Sequence, residues 1–280
     1  MTLSGQDFSW VQKVVLDRAA IQLAPEQEYL IRSRLDALAR ERGLAGTEAL
    51  IAAARSELGG ALTAAVVDAM TTNETSFFRD THPFDALAHT ILPDVIEQRK
   101  AERSITLWSA ACSTGQEAYS LAMILAAHPL LSGWRIRIVA TDVSKRVLMK
   151  GQEGIYSSLE IGRGLPARML ATHFDRSGPN FRVKPHLRAM VEWKPMNLAG
   201  DWPTLPVFDI VFMRNVLIYF PKAVVGTVLG KTRACLSRNG YLLLGSTENM
   251  LGVGTGFDSS TIGKTMVYRP QGARKEARYG

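Results

Sequence analysis

Cysteine is scarce in this chain: Cys112 and Cys235 are the only two in 280 residues, and no histidine stands near either at ligand spacing. A disulfide framework and a zinc site are therefore not expected, and both thiols read as reduced, with no metal site anywhere. Long apolar runs are also missing. No stretch approaches the roughly 18 uninterrupted apolar residues of a membrane span. The start, Met1-Thr-Leu-Ser-Gly-Gln-Asp7, lacks the basic and apolar segments of a signal peptide. A cytoplasmic protein without membrane insertion is the expectation. The phosphate-cradling pattern Gly-x-Gly-x-x-Gly is absent where it would be sought, since Cys112-Ser-Thr-Gly-Gln116 holds one glycine; this argues against NAD or FAD. No basic strand is interleaved with aromatics, so nucleic acid is not an expected partner. Nothing resembles a dimerisation heptad, and a monomer is expected.

What is present suits a folded enzyme-sized chain. Hydrophobic residues make up 46% of the sequence, enough to build a substantial core. The net charge of +7 is unevenly distributed: residues 1–80 carry eight Lys and Arg against eleven Asp and Glu. Within that acidic part, Arg32, Arg34, Arg40 and Arg42 cluster on one segment whose spacing places several on one exposed side. A solvated helix face is the plain reading of such a cluster.

The hydrophobic period changes near residue 80. Before it, apolar residues recur at three and four (Phe8, Val11, Val14, Val15; Tyr29, Leu30, Leu35, Leu38; Leu62, Val66, Val67, Met70), which predicts a helical domain over 1–80 with Pro25 and Gly43 at helix edges. A linker helix is expected over 81–99, interrupted near Pro93. From 100 to 280 strand and helix alternate: strands at 105–109, 136–141, 207–213 and 241–244, helices at 116–127 and 145–152 and after Pro221. That alternation predicts a parallel α/β sheet with right-handed crossovers. Thr265 to Tyr268 reads as an antiparallel edge, and 274–280 as a loose basic tail. Between 154 and 192 the alternation breaks among Gly162, Gly164, Pro166, Gly178, Pro179 and Pro185, so an insertion with its own small structure is expected.

The polar residues gather where such a sheet binds ligands. Phe208-Asp-Ile-Val-Phe-Met213 is an apolar strand that ends in Arg214, Asn215 and Tyr219, and ligand crevices of open α/β sheets lie at carboxyl ends of strands. A helix starting after Ser113-Thr-Gly115 points free N–H groups at the crevice. Asp142 ends the next strand and suits ribose hydroxyls, with an N-cap role as the alternative. Glu117 alone reads as a favourable first-turn charge. In Met70-Thr-Thr-Asn-Glu-Thr-Ser-Phe-Phe-Arg-Asp80, Thr72 or Asn73 reads as a helix cap and Phe77 and Phe78 as core, although domain junctions favour clefts.

Five of these segments together resemble the successive signatures of the chemotaxis receptor methyltransferases, the CheR family. They are Thr71 to Arg79, Trp108 to Glu117, Thr141-Asp142, Asn197-Leu198 and Arg214 to Phe220, in the family's order. The resemblance implies a small N-terminal helical domain followed by a Rossmann-like, class I methyltransferase sheet domain with a β-subdomain insertion. It implies transfer of a methyl group from S-adenosylmethionine to receptor glutamates, leaving glutamyl methyl esters and S-adenosylhomocysteine, without a metal. Carried over by motif, Asn73, Thr75, Arg79, Glu117, Asp142, Asn197, Leu198, Asn215 and Val216 would surround S-adenosylmethionine. Arg79, Arg214 and Tyr219 would lie nearest the transferred methyl. Arg34 and Arg40 fall on the family's receptor-contacting arginines, so the implied partner is the acidic helical cytoplasmic region of a chemoreceptor, with an adaptor or regulatory protein as a further partner. Phe174 to Val183 looks shorter than the matching turn in members that dock on a receptor's C-terminal pentapeptide, and binding independent of such a peptide is expected.

Overall fold

A computed structural model describes residues 3–57, 60–250 and 256–273. The N-terminal helices are α1 (Gly5–Ala19), α2 (Glu28–Glu41), α3 (Thr47–Ser56) and α4 (Ala61–Met70). Their apolar residues repeat at helical spacing, so each helix turns one stripe inward. Val11, Val15, Ile31, Leu35, Leu50, Ile51, Val66 and Met70 form a core of their own, separate from the sheet's. Ser4 caps α1 by accepting from the Asp7 N–H, and Gly43, at φ 67°, follows Arg42 at the end of α2.

The arginines of α2 do not share one exposed side. Arg32 pairs with Asp36 and Glu48. Arg34 turns inward, where its Nη1 donates to the Ala69, Met70 and Thr71 carbonyls at 3.4, 3.0 and 3.3 Å. The last carbonyls of a helix have no partner within it and carry partial negative charge, which is what a guanidinium satisfies at the end of α4. Arg40 and Arg42 remain exposed.

The connection to the sheet comprises α5 (His82–Ala86), a π turn (Leu87–Ile91) and α6 (Leu92–Gln98). The expected interruption is there, as a widened turn immediately ahead of Pro93, whose nitrogen has no proton to donate back along the helix.

Strands and helices then alternate: β1 (Ser104–Ala110), α7 (Gln116–Ala127), β2 (Arg135–Asp142) and α8 (Lys145–Glu153). Next come β3 (Ile155–Tyr156), α9 (Ser158–Gly162), α10 (Ala167–His173), β4 (Phe174–Ser177), β5 (Asn180–Val183) and α11 (Pro185–Arg188). The chain continues through β6 (Val191–Pro195), β7 (Phe208–Met213), α12 (Lys222–Cys235), β8 (Leu236–Leu244), β9 (Phe257–Ile262) and β10 (Thr265–Pro270). The large sheet runs β6-β2-β1-β7-β8-β10-β9, with the first five strands parallel, β10 antiparallel to β8 and β9 antiparallel to β10. A second sheet, β3-β5-β4, is antiparallel.

Two strands depart from expectation. Thr265 to Tyr268 is antiparallel but not the edge, because β9 pairs outside it. β9 was not visible as a strand because its pattern, Phe257-Asp-Ser-Ser-Thr-Ile262, is mostly exposed and polar, as an edge tolerates. β6 joins the main sheet beside β2, directly after the small sheet. The expected tail at 274–280 lies outside the described residues.

Both faces of the large sheet are covered. Ile105, Leu107, Ile210, Phe212, Tyr241 and Leu243 point to one core cluster, and Trp108, Val211, Met213, Leu242 and Leu244 to the other. The strict period of two in β1, β7 and β8 is what sorts them. The sheet order reverses between β1 and β7, which opens the crevice at their carboxyl ends.

Candidate active site

The crevice is a cleft bordered by every residue that the motifs assigned to the cosubstrate or the transferred methyl: Asn73, Thr75, Arg79, Glu117, Asp142, Asn197, Leu198, Arg214, Asn215, Val216 and Tyr219. Three strand ends supply its floor. Past β1 the chain turns through Ala111 and Ser113, both at positive φ, and Gly115 at φ 94° before entering α7. A side chain at Gly115 would meet the Trp193 ring 2.5 Å from its Cβ, so that residue holds both the turn and the close packing. Segment 71–80 and the end of α1, through Ala19 and Ile21, form the roof.

Arg214 lies at the centre of a buried charge cluster, its side chain 1% exposed. Nη1 donates to Glu117 Oε2 at 3.2 Å, and Nη2 donates to Asp80 Oδ2 at 2.6 Å and to the Arg79 carbonyl at 2.9 Å. Ser109 Oγ donates to the other Glu117 oxygen at 2.7 Å. Glu117 is thus more than a first-turn charge: it joins the ends of β1 and β7. Asp80 was not foreseen. It sits in a run where Phe78, Asp80 and Thr81 all have positive φ, 50°, 66° and 48°. Such geometry persists only where surrounding contacts impose it, and the Arg214 bonds do so.

Asp142 accepts the Ser113 N–H at 2.9 Å and the Ser144 N–H at 3.0 Å. It is not the N-cap of α8. Ser144 is, accepting from Val147 N–H. Neither Thr72 nor Asn73 caps a helix either; Asn73 donates to Thr71 Oγ1, and its carbonyl accepts from Ser113 Oγ at 2.8 Å, tying the roof to the floor. Phe77 is core, packed edge-on against Tyr156 and Phe174. Asn197 donates to the Arg18 carbonyl at 2.7 Å and accepts from Ala199 N–H, which leaves one amide proton and one lone pair for a ligand. Arg79 donates one Nη1 bond to the Glu74 carbonyl at 3.0 Å. Burial pushes the Cys112 thiol well up, so it borders the cleft as an inert apolar surface. Among the described residues no group of His, Cys, Asp or Glu is arranged to hold a metal.

A cleft of this kind at the switch point of a parallel sheet, floored by the buried carboxylates Glu117 and Asp142, is the architecture of an S-adenosylmethionine-dependent methyltransferase. The family model "CheR methyltransferase, SAM binding domain" matches residues 73–266, and "CheR methyltransferase, all-alpha domain" matches residues 6–71. A Pseudomonas aeruginosa protein, "Chemotaxis protein methyltransferase 1", is 37% identical over 96% of this chain and 99% of its own length. "Chemotaxis protein methyltransferase Cher2" of Pseudomonas putida is 36% identical, with the same coverage. A "Chemotaxis protein methyltransferase" of Vibrio parahaemolyticus is 37% identical over 96% of this chain and 98% of its own. The chain belongs to the CheR family of chemotaxis methyltransferases.

The donor set fits the cosubstrate. Two buried carboxylates suit a ligand that carries cationic and hydroxyl groups, and Glu117 and Asp142 both keep lone pairs free toward the cleft. When bound, S-adenosylmethionine supplies a methyl group on a positively charged sulfur. Burial raises the Glu117 carboxyl above its ordinary 4.5, with Arg214 opposing, and raises Asp142 above its ordinary 3.8. For the free protein the sign is that of a raised acid: these groups' contribution to stability is present at low pH and is lost as pH rises through their folded values. Cation binding has the opposite sign, because it favours the ionised carboxylates. Affinity for S-adenosylmethionine is therefore expected to fall, and protons to be released on binding, as pH drops below those raised values. Calorimetry in two buffers of different ionisation enthalpy reads this directly; constant affinity without proton release down to pH 4.5 would contradict it.

Proposed function

We propose that the chain esterifies glutamate side chains on the acidic, helical cytoplasmic region of a chemoreceptor, as part of sensory adaptation. The observation that carries this is the cleft lining: it includes Arg79 and Tyr219 but neither histidine nor lysine. A glutamate is already ionised near neutral pH and needs no base, whereas an amine or hydroxyl nucleophile would. Of the carboxylates in the lining, Glu117 and Asp142 are held by hydrogen bonds in the floor, and Glu74 is paired with Arg163 at 2.9 Å. What remains is positioning. Arg79 and Tyr219 orient the incoming carboxylate for in-line attack, with the reacting atoms about 3–3.5 Å apart. Any water that the bound reactants displace from the two charges favours a step that neutralises them.

Docking is proposed to use the exposed Arg40, while Arg34 acts chiefly by holding the end of α4 in place. The β4–β5 hairpin turns through Gly178 and Pro179 alone, between the paired Ser177 and Asn180, and so short a loop supports binding that does not depend on a receptor C-terminal peptide. The test is incubation with methyl-labelled S-adenosylmethionine and membranes from the source organism. Label released by mild alkali as methanol, unchanged by removal of the receptor C-terminus and slowed severalfold by Arg40→Glu, is the expected result. Base-stable label, or label released by ribonuclease, would overturn the proposal.

A further inference from the structure

Glu248 is a buried acid that does not border the cleft, yet it is bonded to the loop that does. Its Oε2 accepts N–H groups of Asn215 at 2.7 Å and Gly245 at 2.6 Å. Its Oε1 accepts those of Val216 at 2.8 Å, Leu217 at 2.7 Å and Ile218 at 3.3 Å. Four consecutive backbone donors thus converge on one side chain, and among the described residues no Lys or Arg forms an ion pair with it. A nest of N–H groups binds a carboxylate strongly because charged acceptors shorten and strengthen each bond.

The geometry of the loop depends on that acceptor. Asn215 has φ 58°, a left-handed conformation that leaves its N–H and the next three pointing the same way. Without an acceptor those four donors would be turned inward and largely unsatisfied, so the loop would turn over to reach water or other partners. The other side of the same loop carries Asn215, Val216 and Tyr219 to the cleft. Gly245 completes the seat: a Cβ there would lie 2.6 Å from Glu248 Oε2 and 2.9 Å from both Asn215 nitrogens.

We infer that Glu248 is a positioning residue for methyl transfer, holding the 215–219 loop in the only form that presents Asn215 to S-adenosylmethionine and Tyr219 to the methyl acceptor. It acts through the loop and touches neither reactant. Glu248→Gln places an NH2 group against donors. In the folded variant, the Kd for S-adenosylhomocysteine is expected to rise about tenfold, the factor that corresponds to one charge-assisted hydrogen bond. The value of kcat should fall by at least as much, with KM for receptor membranes nearly unchanged. Asp209→Asn is the control, because Asp209 is a buried carboxylate on β7 that bonds Thr106 N–H and Arg99 far from the cleft. It should lower the melting temperature without moving Kd. Should Glu248→Gln fail to fold, Gly245→Ala displaces the same carboxylate and is expected to weaken binding in the same direction. Wild-type affinity in a folded Glu248→Gln or Gly245→Ala protein would overturn the inference, as would an equal loss in Asp209→Asn. The inference rests on the methyl-transfer reading only for its kcat arm; failure of that reading would show as an inactive wild type, whereas failure here shows in the binding constant.

Discussion

Arg214→Met is expected to lower the stability of the protein by about 3–5 kcal/mol, the cost of removing one partner from a buried ion pair, and to abolish measurable receptor methylation. The expectation follows from where the two acids are left. Asp80 is a third exposed and can turn to water. Glu117, with its side chain only 12% exposed, cannot; it would keep the single bond from Ser109 and either take up a proton or remain a buried unpaired charge. Burial already raises its carboxyl, and Arg214 is the largest influence opposing that, so the variant's Glu117 should titrate higher still. Methionine conserves the apolar contact over Phe84, where the guanidinium lies 5.6 Å from the ring, so the loss reports charge and hydrogen bonding rather than an empty space. Adding Glu117→Gln should recover part of the stability by removing the stranded charge, and none of the cosubstrate affinity. Denaturant unfolding of the single and double variants checks this. A loss under about 1 kcal/mol in the single variant, the range of an exposed pair, would show that the cluster does not hold the site together.

Much of the site was legible because its residues violate the pattern around them. An apolar run such as Phe208 to Met213 that ends in Arg-Asn with a tyrosine shortly after points to a site, and Asp142 ends its strand where a crevice opens; Glu117, by contrast, reads alone as a first-turn charge and enters the site only through the resemblance. The strand and helix order of the sheet followed from periods of two and of three to four. What the sequence hid are the partners of those residues. Asp80 and Glu248 are ordinary polar residues in their own segments, and each gains its meaning from a contact over long separation: Asp80 to Arg214, Glu248 to Asn215. The Gly245-Ser-Thr-Glu248 turn directly after an apolar strand was the available signal for Glu248, by the same logic that singled out Arg214. Arg34 has a contact that helical spacing could not show, since spacing does not tell an arginine turned to solvent from one that reaches back to the carbonyls of a neighbouring helix. Ser144 rather than Asp142 caps α8 because one more residue of β2 remains paired with β6 than the apolar run suggests.

Arg79→Lys is expected to lower kcat/KM for receptor methylation about a hundredfold, the scale set by a misplacement of about 1 Å at a reacting centre. Stability should change little, because Arg79 is half-buried and its side chain donates to the Glu74 carbonyl at 3.0 Å. A guanidinium can satisfy that carbonyl through Nη1 and still present its other edge to a carboxylate in a fixed plane. A lysine ammonium is a single point with a flexible stem, and must leave one partner to serve the other. The backbone that aims Arg79 is itself constrained: its carbonyl accepts from Arg214 Nη2, and it stands between Phe78 and Asp80, both at positive φ. The two variants should therefore differ in kind. Arg214→Met releases that backbone and loses stability together with cosubstrate affinity, while Arg79→Lys keeps the backbone and loses chiefly the orientation of the carboxylate. Steady-state kinetics on receptor membranes, paired with calorimetric titration of S-adenosylmethionine, separates them. Full turnover with unchanged affinity in Arg79→Lys would remove Arg79 from the methyl-transfer step and leave Tyr219 as the sole orienting group at the mouth of the cleft.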